Sequence, residues 1–137
     1  MNNLNFQESN IFSQGETFDA YVYILKLIKS AKKSITLINH HVNDDTLTML
    51  SRNPDKEITI HTDSVSNQLM LDIELYNKQY RPITLKTNST FKDCYLIIDK
   101  TKVYILSTNI ITLGEEASNI ILARDFDEES ILEIIKR

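Results

Sequence analysis

Cysteine, glycine, proline and excess positive charge are all scarce in this 137-residue sequence, and each shortage excludes something. The one cysteine, Cys94, cannot close an internal disulfide. The opening MNNLNFQESN has neither the basic start nor the apolar core of a secretory signal. Together these give the expectation of a cytoplasmic protein. No apolar run approaches the roughly 18 to 20 residues that cross a bilayer, so no membrane association is expected. Lys and Arg number 15 against 19 Asp and Glu, for a formal charge of -4. That balance argues against a dedicated nucleic-acid surface and leaves room only for a local basic patch. With two glycines and two prolines, no stretch reads as a Pro-, Gly- or Ser-rich linker, and there is no low-complexity tract or clean internal repeat. The chain therefore reads as one domain, long enough to bury a core without disulfides or metals.

What is present alternates between helical and strand periodicity. Residues 1–15 are polar, with scattered Leu4, Phe6, Ile11 and Phe12 before Gly15, and are expected to form a weakly ordered arm ahead of a domain over 16–137. Phe18, Tyr21, Val22, Leu25 and Ile28 recur at three- and four-residue steps, which predicts a helix over 17–33 with one face on the core. Lys26, Lys29, Lys32 and Lys33 crowd its end, where cations complement the helix dipole, and they read as a solvated terminus rather than a phosphate site. SITLIN, residues 34–39, is a short apolar strand. The cluster His40, His41, Val42, Asn43, Asp44, Asp45 comes after it, with Asn43 as N-cap of a helix through Leu50. EITIHT (57–62), a helix over 66–80 and a strand over 83–86 complete a strand–helix alternation, which calls for right-handed crossovers and parallel neighbours.

The most informative stretch comes next, KDCYLIIDKTKVYILSTN over 92–109. Its runs Tyr95–Ile98 and Val103–Leu106 flank the polar turn Asp99, Lys100, Thr101, Lys102, which predicts a β-hairpin with buried strands. A last strand over 117–122 and a closing helix over 127–136, acids first and bases last, finish the chain. The expected fold class is α/β, a mixed sheet covered by helices.

The hairpin's spacing resembles the HKD motif of the phospholipase D superfamily, which reads His, any residue, Lys, four residues, Asp, six residues, Gly, Ser, any residue, Asn. Lys92 stands at the His position, Cys94 at the Lys position, Asp99 at the Asp position and Leu106 at the Gly position, while Ser107 and Asn109 match. The runs FDAYVYILKLIKSAKKSITLI and QLMLDIELYNKQYRPITLK, and the hairpin with its trailing LG, look like the phospholipase-D-like C-terminal domain of bacterial RhuM-type proteins. That resemblance implies an α-β-α sandwich around a mixed sheet, phospholipase D-like. It also implies a His that attacks phosphorus, a Lys that neutralises the phosphate, and an acid from a second motif. With one motif per chain, it implies a homodimer. In that family the domain is often joined to an N-terminal DNA-binding region not seen here, so the sequence reads as a free-standing fragment.

Lys92 is a poor stand-in for the nucleophile. A lysine is almost wholly protonated at neutral pH, and lowering its pKa by ~3 units takes roughly 4 kcal/mol of differential environment. Cys94 removes the expected positive charge. On one strand face Lys92 would favour a Cys94 thiolate, yet a free cysteine in an apolar strand is usually a small buried hydrophobe, and no histidine is placed as its base. His40, His41, His61 and Cys94 match no trusted zinc spacing, because adjacent histidines on an extended chain point apart. No metal and no cofactor are expected. Asp99 has an ordinary use in a turn, and Ser107 and Asn109 in satisfying strand-end backbone. The expectation is thus a non-catalytic phospholipase D-like domain with a degenerate-motif pocket of Lys92, Cys94, Asp99, Ser107 and Asn109. It would dimerise or bind a phosphate-containing ligand. The alternatives are a phosphodiesterase or nuclease with a non-standard site, and a nucleic-acid binder using Lys92, Lys100 and Lys102.

Overall fold

The computed structural model describes residues 9–88 and 90–135. Its strands are β1 (Ser9–Phe12), β2 (Ser34–Ile38), β3 (Glu57–Thr62), β4 (Thr84–Thr87), β5 (Cys94–Ile98), β6 (Lys102–Leu106) and β7 (Ser118–Ala123). Its helices are α1 (Thr17–Ser30), α2 (Asp44–Leu50), α3 (Asn67–Gln79) and α4 (Glu128–Ile135). One seven-stranded sheet runs β1-β7-β6-β5-β2-β3-β4. β2, β3 and β4 are parallel, as their helical crossovers require, and every other pair is antiparallel.

Alternation within the strands sorts the core into two layers. Ile35, Leu37, Ile58, Ile60, Leu96 and Leu106 pack on one face with α1, α2 and α3. Ile38, Tyr95, Ile97 and Val103 pack on the other with Ile131 and Ile135 of α4. The result is the expected α-β-α sandwich, with three helices on one side and one on the other. β2 and β5 are buried at every position, as central strands covered on both faces must be.

Two boundaries differ from the sequence expectation for visible reasons. Residues 9–12, expected within a polar arm, form β1, which pairs antiparallel with β7 and buries Phe12; residues 1–8 of that arm lie outside the described residues. The first helix stops at Ser30 rather than Lys33. The amide groups of Lys32, Lys33 and Ser34 leave the helix to donate to the Asp99 carboxylate at 2.7 to 3.1 Å. Asn43 caps α2 as expected, accepting from Asp45 and Thr46 while its own N–H donates to Thr46 Oγ1.

Candidate functional site

The parallel strands β2 and β3 end on the same side of the sheet that β5 starts from and β6 ends on, so four chain segments meet there. Crevices beyond the carboxyl ends of parallel strands are the usual ligand sites of open α/β sheets. Register decides which side chains meet. Ile38 pairs with His61 across β2 and β3, so two residues further on His40 comes beside Asp63. Ile38 pairs with Tyr95 and Cys94 with Leu106, which sets Cys94 between the end of β2 and the end of β6.

The His40 ring is engaged on three sides. Nδ1 lies 2.9 Å from Asp63 Oδ2, Nε2 lies 2.9 Å from the Lys92 carbonyl oxygen, and the ring stacks on Phe91 at 4.5 Å between centroids. Its pKa is raised, first by the bond to the Lys92 carbonyl; burial opposes, and the Asp63 bond and the charges of Asp63 and Asp93 add to the rise.

Behind it lies a buried polar network. Asn109 Oδ1 accepts the His41 N–H at 3.0 Å, and the Cys94 thiol donates to the same oxygen at 3.6 Å. Asn39 Oδ1 accepts the Ile110 N–H at 2.8 Å, and Thr62 Oγ1 donates to the His40 carbonyl at 3.1 Å. Asparagine at these positions satisfies loop backbone that the surrounding strands leave unpaired. Burial pushes the Cys94 thiol up; the nearby His40 N–H pulls it down, while the Asp93 and Asp63 charges push it further up. Cys94 is held as a neutral thiol, the opposite of what nucleophilic chemistry needs.

The five motif residues are divided by the structure. Cys94, Ser107 and Asn109 sit at this end, and Lys92 precedes β5, exposed, joined to the site through its carbonyl rather than its ammonium. Ser107 Oγ accepts the Asn119 N–H at 2.9 Å and serves the β6–β7 connection. Asp99 lies at the far end of the hairpin, a five-residue strand away, about 16 Å at ~3.3 Å per residue. It is not part of a pocket with the other four. A strand's rise separates residues at its two ends, and the carboxylate is used by the backbone after α1. Lys100 and Lys102 follow Asp99 at that far end, so they do not combine with Lys92 into one basic surface; Lys32 and Lys33, whose amides bind the Asp99 carboxylate, are on their side instead.

An open cleft of about 630 Å³ lies beside this network, lined by His41, Ser107, Thr108, Asn109, Glu115 and Glu116 among others. Among the described residues no three His, Cys, Asp or Glu side chains are grouped to hold a metal ion. Sequence spacing alone does not single out Asp63, Phe91 or Asn39, and it leaves His40 as a lone loop histidine. The available signal is positional: His40 and Asp63 stand just beyond the ends of adjacent parallel strands.

Comparison with solved structures bears on the fold. The fold is similar to NucT from Helicobacter pylori, with a TM-score of 0.61 at 19% identity over 92% of this chain and 89% of that one. It is also similar to TrmBL2, an archaeal chromatin protein whose structure shows a novel mode of DNA binding (0.54, 15%, 86% of this chain and 46% of that one). A third is phosphatidylserine synthase from Haemophilus influenzae Rd KW20 (0.53, 11%, 93% and 36%). The chain thus spans most of NucT but less than half of the other two. No protein-family model and no curated protein sequence matches. The architecture shared with these structures is an α/β sandwich around a mixed sheet. No described helix is long and apolar enough to cross a membrane.

Proposed function

We propose that this chain is a non-catalytic phospholipase D-like module, with a degenerate HKD motif, that pairs with a second copy of itself through the motif end of the sheet. The observation that carries the reading is the state of every nucleophile candidate there. The His40 ring has an acceptor 2.9 Å from each nitrogen, Cys94 is a buried neutral thiol, and Lys92 is turned to solvent. Engaged in this way, none presents a free electron pair to phosphorus. Among the described residues the adjacent cleft is lined by Glu115 and Glu116 and by no lysine or arginine, which disfavours a phosphate-containing ligand. Likeness of scaffold to an enzyme such as phosphatidylserine synthase does not transfer its chemistry.

Self-association is supported by the segment immediately after Asn109. Ile110, Ile111 and Leu113 line an open apolar groove of about 520 Å³ with Phe18, Tyr21 and Met49, and Phe18 is 72% exposed. An apolar groove next to a motif that occurs once per chain fits the two-motif arrangement implied by the superfamily resemblance. Sedimentation over a wide concentration range tests it. The unmodified chain is expected to dimerise, and Phe18→Glu or Ile111→Glu to give a monomer with unchanged circular dichroism. A strict monomer at the highest concentration overturns the pairing.

Nucleic-acid binding without cleavage is a second reading, favoured by the gathering of exposed Lys32, Lys33, Lys100 and Lys102 around the Asp99 turn and by the fold's likeness to a DNA-binding chromatin protein. Salt-sensitive retention of duplex DNA, lost in Lys100→Glu/Lys102→Glu, would favour it over self-association alone.

A further inference from the structure

We infer that His40 is a proton-operated latch: as an imidazolium it ties the segment before β5 to the loop after β3, and on losing its proton it releases one of the two. Donors and acceptors decide this. The Lys92 carbonyl oxygen can only accept a hydrogen bond, and an ionised Asp63 carboxylate can only accept. Both ring nitrogens face acceptors at 2.9 Å, so both must carry hydrogen, and neutral imidazole has hydrogen on only one. On deprotonation one bare nitrogen faces the lone pairs of an oxygen; the charged carboxylate is the stronger acceptor and keeps the remaining hydrogen on Nδ1, so the contact from Nε2 to the Lys92 carbonyl is the one lost.

The surroundings favour the cation. Asp63 lies on the loop after β3, and Asp93 on the segment before β5; both are negative and near the ring. From the same segment the Phe91 ring stacks on the imidazole, and an aromatic face attracts a cation. The opposing charge is the ammonium of exposed Lys92. Cys94, at the start of β5, is held neutral, and His41 is next in the chain with its N–H committed to Asn109. Burial disfavours the charge, but the ring is only partly enclosed, with about a third of the side chain exposed.

The latch also has something to release. Phe91 is buried in the second core layer with Tyr95 and the α4 residues Ile131 and Ile135. Lys92 and Cys94 bracket Asp93 immediately after it. Letting go of the Lys92 carbonyl frees the stretch that leads into β5 at Cys94. The motif end of the sheet is thus closed below the His40 pKa and loosened above it.

The test is a nitrogen–proton NMR titration of the histidine rings on the full chain, with amide exchange read at Phe91, Lys92, Asp93 and Cys94. At pH 6 the expected result is hydrogen on both His40 nitrogens and a midpoint above the ordinary histidine value of about 6.5, shifted downward in Asp63→Asn. Protection of the four amides, corrected for intrinsic exchange, is expected to drop at least about fivefold as His40 deprotonates, a factor small beside full local unfolding. A single protonated nitrogen at pH 6, or protection that stays constant through the His40 midpoint, overturns the latch. The titration of the unmodified chain decides even if Asp63→Asn does not fold. Because it reads one ring and four amides, it is independent of whether the chain dimerises or turns over a phosphodiester.

Discussion

At the residue scale the most instructive side chain is Asp99, which matches a catalytic-motif position and has a structural role. Its backbone has φ 55° and that of Lys100 has φ 65°, the left-handed region in which aspartate is tolerated better than most residues. Its carboxylate accepts from three consecutive amides left open where the chain passes from α1 into β2. Partial burial pushes its pKa up, but the Lys33, Lys32 and Ser34 amides, helped by the Lys102 charge, outweigh this and hold it below the ordinary value. Asp99→Ala is expected to cost on the order of 1 kcal/mol in chemical denaturation, since the exposed Lys32 and Lys33 amides can turn to water and only the Ser34 amide is partly buried. The pH dependence has a definite sign. A carboxyl depressed in the folded state stabilises above its unfolded value near pH 4, and that contribution is lost as pH falls through the folded value. Asp99→Asn should therefore flatten the acid limb of a stability-versus-pH curve while leaving its shape above about pH 6 unchanged.

Reading such residues from sequence has a clear physical limit. Aspartate in a polar turn is legible, as is Asn43 as a cap, because both roles involve neighbours within a few residues. That the Asp99 carboxylate reaches across to Lys32 is not, since its partners are more than sixty residues away. The same holds for His40 and Asp63, which meet only once β2 and β3 are placed in register.

At the element scale the hairpin β5–β6 remains the centre of the sheet, flanked by β2 and β7. Its strands are legible because continuous runs of Ile, Leu, Val and Tyr fit a sheet covered on both faces. β1 is not, because only Phe12 of its four residues is buried and only pairing with β7 makes them a strand. The chain reaches α1 from β1 through a tight crossing in which Gly15 N–H donates to the Gly114 carbonyl at 2.8 Å. Gly114 has φ +85°, and a Cβ there would stand 2.5 Å from the Glu16 carbonyl oxygen. Gly114→Ala should thus combine left-handed strain with a backbone clash and cost on the order of 2 kcal/mol or more, read as a lowered denaturation midpoint with an unchanged slope.

At the scale of the whole molecule, the α/β order, the mixed sheet and the two-sided helical cover agree between sequence periodicity, structure and the similarity to NucT. The candidate site agrees less well with its motif. A sequence pattern treats Lys92, Cys94, Asp99, Ser107 and Asn109 as one unit, whereas the fold sends Asp99 to one end of the hairpin and the rest to the other, and recruits His40, Asp63 and Asn39 from the parallel half. What is left at the motif end is a satisfied hydrogen-bond network and a committed imidazole rather than a free nucleophile. The most direct measurement is turnover of bis-para-nitrophenyl phosphate together with nicking of supercoiled plasmid by the purified chain. A non-catalytic module gives no hydrolysis above the protein-free rate at any pH at which the chain is folded; hydrolysis abolished by Lys92→Ala, Cys94→Ala or His40→Gln and retained in Lys33→Ala would contradict it.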